Sequence, residues 1–446
     1  MVAPPRRVDA AITLETELTL ARLYVAEHSA DRRYNVDAGL YYRYEAGIWR
    51  PDVAEVTLAE IGRHCAAQAT DATAADARRA RKWATAVGVA SFVRRDPLIV
   101  ARQTDFDSAP HLLGVAGGIV DLRTGELLDA DPVYMVSRCC RVGLAPRGTR
   151  PRRWLRALLG MFAGDRAMVR YLQRLYGYAL LGERPDHVVV MVYGGGGNGK
   201  TTVVETIGWL LGDYAAAAAA ESFVEQHGER HPTDLARLAG VRLVTAAENS
   251  VARRLDVALL KRLTGGDTIA ARYMRQDYFT FRPQFLPVLV GNHRPRLPSV
   301  DDGIARRLHF VEHRHRIADP DTHLPAVLRA EGPAILRWLV DGCLAYQRSG
   351  LAPPEVVRAA TRAYLDQQDV VGQYLADETI DDPEASVLLQ ELVARYLGWA
   401  RPLGAPELSG RALADELDRR GYRQGRTKRG KRVHGLRLVG RDLADG

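Results

Sequence analysis

Eight consecutive residues, Gly194-Gly195-Gly196-Gly197-Asn198-Gly199-Lys200-Thr201, have the types and spacing of a phosphate cradle. Glycines let backbone N–H groups turn inward on phosphate oxygens, and a helix starting at Lys200 adds about half a positive charge at its N-terminus. In the pattern G-x-x-x-x-G-K-[ST] the lysine bridges the β- and γ-phosphates and the hydroxyl binds Mg²⁺. The expected nucleotide contacts are therefore Gly194, Gly197, Asn198, Gly199, Lys200, Thr201 and Thr202. ATP and Mg²⁺ are the expected ligands, with Thr201 on the metal. The pattern needs a strand before it and a helix after it. Val188 to Tyr193 is an apolar run short enough for a buried parallel strand, and Lys200 to about Leu211 has helical spacing.

Two more apolar runs end on groups that can do chemistry. Leu243 to Ala247 ends at Glu248, where a carboxylate can polarise an attacking water or hold Mg²⁺ through water. Phe285 to Val290 ends at Gly291-Asn292, whose amide can orient water, touch a γ-phosphate or simply cap a turn. Arg306 and Arg307 follow Asp301-Asp302-Gly303. Paired arginines form solvent salt bridges or, in a ring of subunits, place a planar cation in the neighbour's site. Between Glu248 and Asn292, Lys261 to Asp267 leads into Ile269 to Phe281, whose alternation on either side of Met274–Asp277 predicts a hairpin. Lys261, Arg272 and Arg275 are its candidates for gripping a phosphate backbone.

Strands alternating with helices from about 186 to 350 imply a three-layer α/β domain with a mainly parallel sheet. Before it, residues 1 to 150 read as mixed α/β, with an opening helix at Leu14 to Val25 and two hairpins. One hairpin spans Tyr41–Trp49 with Glu45-Ala46-Gly47 as its turn; the other spans Ile119–Leu128 around Gly125. Arg147 to Arg153 reads as a linker and 154–182 as helical. The alanine run Ala215–Ala220 reads as compositional drift without function. Pro353-Pro354 marks a further break, and 356–446 a small tail domain with helices near 385–400 and 409–420 and a short basic hairpin. There Arg423, Lys428, Arg429, Lys431 and Arg432 lie in a stretch that has no acid before Asp442. The order helix, strand, turn, strand, with Ser409 as N-cap, is that of a winged helix and points to DNA contact; a disordered basic tail is the bland alternative.

The chain has 446 residues, enough for about three domains, and a formal charge of +8, which admits a polyanionic partner. No apolar run approaches a membrane span, no secretion signal opens the chain, and its four cysteines lack zinc-finger or disulfide-framework spacing, so a reducing cytoplasm is expected.

The order of these features resembles the superfamily 3 helicase domain of phage and plasmid primase–helicases, the poxvirus type included. The features are the glycine loop, one acidic strand end, Leu259-Leu260-Lys261-Arg262-Leu263-Thr264-Gly265-Gly266-Asp267, the strand ending at Asn292, and Asp302-Gly303-Ile304-Ala305-Arg306-Arg307. Tyr44-x-x-Gly47-x-Trp49-x-x-Asp52, Phe106 to Leu113 and Asp121 to Leu127 look like that family's pre-helicase domain. The resemblance spans roughly residues 15–350. It implies an AAA+-like P-loop helicase core at 186–350, a helical collar at 151–185, a pre-helicase domain at 1–150 and a winged-helix-like domain at 356–446. It implies an ATP-dependent DNA helicase of a mobile element, a homo-hexamer with ATP between subunits, acting on single-stranded and forked DNA with 3′-to-5′ polarity beside a separate primase or replication protein. By the same match Glu248 is the acidic catalytic residue, Asn292 the sensor, and Arg306 or Arg307 the finger. An initiator that melts an origin without unwinding, and a small-molecule P-loop kinase, are the competing readings. Two departures stand out. Ala247-Glu248-Asn249 carries one acid where many members have two, and the chain begins at the pre-helicase region, so no primer synthesis is expected of it.

Overall fold

The structure is a computed structural model that describes residues 17–68, 74–225, 232–247, 254–273, 278–297 and 300–439. Helix α1 (Glu17–His28) leads into strands β1 (Arg32–Asn35), β2 (Leu40–Glu45) and β3 (Ile48–Pro51). The β2–β3 turn places Ala46 at φ 50° and Gly47 at φ 86°, the left-handed pair that matches the twist of a two-residue hairpin. Helices α2 (Val56–Ala67), α3 (Ala74–Ala80) and α4 (Trp83–Val93) follow. Leu20, Tyr24, Ile61, Val89 and Val93 form the core between α1, α2 and α4. Strand β4 (Val100–Ala101) then joins β1 in parallel and completes a four-stranded sheet.

A second, antiparallel sheet comprises β5 (Leu112–Val115), β6 (Gly118–Asp121) and β7 (Glu126–Leu128). Its buried face is continuous with helices α5 (Arg152–Met161) and α6 (Arg166–Tyr178), so Leu113, Val120, Trp154, Leu158 and Leu175 share one core. Residues on both sides of the boundary expected near 150 are thus packed together. The helical stretch breaks at Ala163 (φ 49°) and Gly164 (φ 83°), and Asp165 restarts it by accepting from the backbone N–H groups of Ala167 and Met168.

The central sheet contains β8 (Val189–Tyr193), then helix α7 (Lys200–Leu211), β9 (Ala215–Ala219), helix α8 (Pro232–Ala236) and β10 (Leu243–Ala247). Helix α9 (Val257–Thr264), the hairpin β11 (Ile269–Ala271) and β12 (Phe279–Phe281), β13 (Leu286–Gly291), helix α10 (Asp302–Ala305) and β14 (Leu308–Glu312) follow. The five sheet strands run parallel in the order β14-β8-β13-β10-β9. Strand β8 is buried on both faces, which is why its sequence is a continuous apolar run and not an alternation. The alanine run is a correction to the sequence reading: Ala215–Ala219 is the edge strand, paired one to one with Leu243–Ala247. Its small side chains carry no apolar signature, so only the pairing reveals it.

Helices α11 (Leu324–Ala330) and α12 (Gly332–Ser349) close the block. Helices α12 and α6 cross at glycines: a Cβ on Gly177 would lie 2.3 Å from the Cys343 backbone N, and one on Gly342 2.0 Å from the Gln173 carbonyl. Helix α13 (Glu355–Gln368), expected to open the tail, packs on β14 instead, with Phe310 N–H donating to Thr361 Oγ1 at 3.0 Å and the Tyr364 hydroxyl to the Pro295 carbonyl at 2.8 Å. The tail then runs α14 (Val370–Glu378), β15 (Thr379–Leu388), α15 (Leu389–Ala400), α16 (Gly410–Arg419), β16 (Gln424–Thr427) and β17 (Gly430–Leu438). Its sheet order is β15-β17-β16, over a core of Tyr374, Leu392, Tyr396, Leu417 and Val433. The helix expected from about 385 begins at Leu389, because the residues before it pair with β17. The whole is a mixed α/β architecture of several domains around one parallel sheet. No helix among the described residues is long and apolar enough to cross a membrane.

Candidate functional site

The glycine loop leaves the C-terminal end of β8 and enters α7. Gly196, Gly197 and Gly199 have φ of 90°, 61° and 81°, so the loop turns through left-handed backbone that side chains resist. Two positions also need glycine for space: a Cβ on Gly194 would lie 2.4 Å from the His313 carbonyl oxygen, and one on Gly199 2.5 Å from Met161 Cε.

Lys200 is buried, with 5% of its surface exposed, and its Nζ donates to the Gly194 carbonyl at 2.6 Å and to Asn198 Oδ1 at 2.9 Å. Burial lowers its pKa. The ammonium is thus held inside the loop, where phosphate oxygens can replace the two acceptors. Thr201 is exposed at the first turn of α7 and Thr202 is half-buried. The cradle, the ammonium and the hydroxyl at a helix N-terminus fit a nucleoside triphosphate with its Mg²⁺.

The loop is braced from β14. Asn198 Nδ2 donates to the His313 carbonyl at 2.7 Å, and the His313 ring nitrogen Nδ1 lies 3.0 Å from the Asn198 carbonyl. Burial pushes the His313 imidazole down to about 4, so it is neutral near pH 7 and Nδ1 carries the proton it donates. Ile317 N–H donates to the Gly197 carbonyl at 2.8 Å. Next to the loop, Glu312 accepts from Arg294 Nη2 at 2.7 Å and from Arg314 Nε at 2.7 Å. A cleft of about 330 Å³ lies between Gly194–Gly195 and this arginine–glutamate cluster. Sequence reasoning missed Arg294, Glu312 and His313. For Glu312 and His313 the signal was present in the strand-like stretch Leu308-His309-Phe310-Val311 followed directly by charge.

Strand β13 stands between β8 and β10, with Gly291 in register with Tyr193 and Val290 with Ala247. Exposed Asn292, one residue past Gly291, is therefore at the same sheet edge as the glycine loop and the end of β10. Glu248, one residue beyond β10, lies outside the described residues, as does Arg275.

Arg306 and Arg307 separate. Arg307 is buried: Nη1 donates to the Gly303 carbonyl at 2.6 Å, Nε to Thr264 Oγ1 at 3.3 Å, and Nη2 lies 3.3 Å from His187 Nδ1. These bonds tie its guanidinium to groups of its own chain. Arg306 is exposed. Lys261 is ion-paired with Asp301, its Nζ 2.5 Å from Oδ2. The hairpin itself is present, Ala271 pairing with Phe279, and it displays Arg272 stacked 4.9 Å over the Tyr278 ring, beside Tyr273.

In the tail, Ser409 caps α16 by accepting from Ala412 N–H, and Arg423, Lys428, Arg429 and Lys431 are exposed on or beside the β16–β17 hairpin. Arg432 is half-buried and held by Ser386. Helix α16 carries Asp415, Glu416 and Asp418 against Arg411 and Arg419, so the positive face of this unit is the hairpin and not the helix.

Fold and site together define a multidomain α/β protein whose parallel sheet presents a phosphate-sized glycine loop at its carboxyl edge. Residues 20–162 match the D5 N terminal like family, and residues 192–307 match a family of unknown function (DUF5906). The chain is similar to "Putative helicase L207/L206" of Acanthamoeba polyphaga mimivirus, 24% identical over 322 residues, covering 66% of this chain and 33% of the relative. It is similar to "Putative helicase 022R" of Frog virus 3, 25% identical over 268 residues, covering 54% and 27%. It is also similar to "Putative primase C962R" of African swine fever virus, 22% identical over 340 residues, covering 69% and 35%. The chain spans about a third of the length of these viral relatives. The apo structure of the NrS-1 C terminal region has the same overall fold, with a TM-score of 0.52 at 10% identity over 95% of this chain and 100% of that one. The likeness to these putative helicases and primases covers between 54% and 69% of this chain.

Proposed function

We propose that this chain is the ATP-driven motor of a DNA helicase that acts in replication. The observation that carries the reading is Lys200, buried inside a glycine loop between a doubly buried parallel strand and a helix N-terminus. ATP binds with its β- and γ-phosphates on the loop N–H groups and on Lys200, with Thr201 toward Mg²⁺. The metal supplies charge neutralisation on the transferred phosphoryl group. Asn292 contacts or orients at the γ-phosphate, and Glu248 activates the attacking water. The strand order supports both roles, because β13 and β10 end on the loop's edge of the sheet.

Arg306 completes a neighbour's site. The Arg307 carbonyl accepts from Val189 N–H at the start of β8, whereas the loop begins beyond Tyr193. Five strand residues, roughly 13 Å or more, therefore separate Arg306 from its own loop. An exposed cation too far from its own loop to reach the phosphates there is free for those of an adjacent subunit, which supports a ring, in the leading reading a hexamer. Arg272 and the β16–β17 hairpin are the DNA contacts. The tail order α14-β15-α15-α16-β16-β17 supports a winged-helix unit that grips with its wing. Polarity of 3′ to 5′, forked DNA as substrate and a separate primase partner complete the reading.

The test is ATP turnover and strand separation on a forked duplex, wild type against Lys200→Ala. Loss of the ammonium should lower turnover at least about a hundred-fold, the scale of a few kcal/mol of phosphate stabilisation, and abolish unwinding. Near-normal turnover by a folded Lys200→Ala protein refutes the motor. Turnover with origin melting but no fork unwinding assigns an initiator instead.

A further inference from the structure

The N-terminal domain carries a surface that the motor does not use. Helix α4 contains no charged residue. One side, with Thr85, Ala86, Val89, Ala90 and Val93, is buried toward α1 and α2. The other side faces solvent. Trp83 is 63% exposed and Val87 46%, and Ala84, Ser91 and Arg95 continue the stripe at helical spacing. Basic runs flank the helix, with Arg78, Arg81 and Lys82 exposed before it and Arg94 and Arg95 exposed after it. From Ala77 to Arg95 the sequence holds six basic residues and no acidic one. Arg95 folds back onto the stripe, its Nη1 2.6 Å from the Ser91 carbonyl and 2.8 Å from Ser91 Oγ. Glu17 rests against Gly88 at the edge of this face.

Trp83 and Val87 make a contiguous exposed apolar stripe rimmed by cations, the kind of patch that marks interaction sites. Its chemistry selects the partner. The ring offers a face for stacking, and five of the six cations are arginines, whose planar forks pair with phosphates and stack on bases. Single-stranded nucleic acid presents unpaired base faces and closely spaced phosphates together, whereas a duplex hides the former. We propose that Arg81, Lys82, Trp83, Val87 and Arg95 form a single-stranded nucleic-acid contact on the N-terminal domain, with a base stacked on Trp83 and its phosphates on the flanking cations. The site is independent of nucleotide turnover and of the central hairpin.

The experiment measures binding of fluorescein-labelled oligothymidine to the full chain over a salt series, without ATP. Trp83→Ala should weaken binding about five- to a hundred-fold, the range of one lost stack, with the salt slope unchanged. Trp83→Phe should restore most of it. Arg81→Gln with Lys82→Gln should lower the slope of log affinity against log salt by about 1.4, at about 0.7 per phosphate contact. DNA-free ATP turnover should be unchanged in all three, so a failure here is distinct from a failure of Lys200→Ala. Unchanged oligothymidine affinity in Trp83→Ala, with an unchanged melting curve, overturns the proposal. So does a Trp83→Ala protein that loses oligomer mass, or binding to phosphatidylserine vesicles, while keeping its oligothymidine affinity: the face is then a subunit or membrane contact.

Discussion

Asn198 and His313 are bonded to each other twice, side-chain amide to carbonyl at 2.7 Å and imidazole to carbonyl at 3.0 Å. The pairing fastens the glycine loop to the end of β14. It also positions Asn198 Oδ1, which holds Lys200.

His313→Ala should therefore loosen the loop without replacing a nucleotide contact. One buried hydrogen bond left unmade costs about 1–3 kcal/mol, so ATP affinity should fall roughly five- to a hundred-fold. Titration with a fluorescent ATP analogue checks this, and unchanged affinity would show that the loop holds its shape alone.

Acid should destabilise the protein through its buried imidazoles. Burial holds both His309 and His313 down to about 4, against about 6.5 in the unfolded chain. The unfolded state binds the extra protons, so their contribution is complete above pH 6.5 and is lost as pH falls from 6.5 toward 4. His309→Asn should flatten the pH dependence of stability in that window by up to about 1.4 kcal/mol per pH unit, one proton fewer. Denaturant midpoints at several pH values read it directly, and an unaltered slope counts against the assignment.

The two arginines should fail differently. Arg307→Ala leaves the Gly303 carbonyl and Thr264 without their buried partner and should cost about 2–4 kcal/mol of stability. Arg306→Ala should melt normally and bind ATP, yet hydrolyse it poorly. Mixing it with Lys200→Ala protein should restore some turnover, because a mixed ring can hold an intact interface. If mixed rings form and none is active, Arg306 does not act on a neighbour.

On the hairpin, Arg272→Ala should spare basal ATP turnover and remove its stimulation by single-stranded DNA. Tyr278→Ala should weaken the same response, since the ring supports the guanidinium. Full stimulation in both variants would place the DNA grip elsewhere.

For the tail, deletion is a poor probe: Leu413, Leu417, Val433 and Leu436 belong to the same core as Tyr374 and Leu392. Replacing Lys428, Arg429 and Lys431 by Gln instead should lower the salt slope of duplex binding by about 2.7, at about 0.9 per contact. DNA-free turnover should not change. An unchanged slope would make the hairpin a solvated basic turn or a protein docking site.

The sequence by itself determined what is local. The strand–glycine loop–helix was legible because buried parallel strands are uninterrupted apolar runs and because left-handed backbone demands glycine. The hairpins at Ala46-Gly47 and around Met274–Asp277 announced themselves by turn residues and alternation, and the cap at Ser409 by its residue type. Tertiary structure decided what depends on pairing across distance. Ala215–Ala219 is a strand only because Leu243–Ala247 offers it a ladder. Helix α13 joins the central sheet, and not the tail, because Thr361 and Tyr364 find backbone partners there. Two adjacent arginines of one type were indistinguishable as letters. One turns inward onto Gly303 and Thr264 while its neighbour meets water, and that choice follows from which way each side chain leaves the end of α10, a direction set by packing and not by composition.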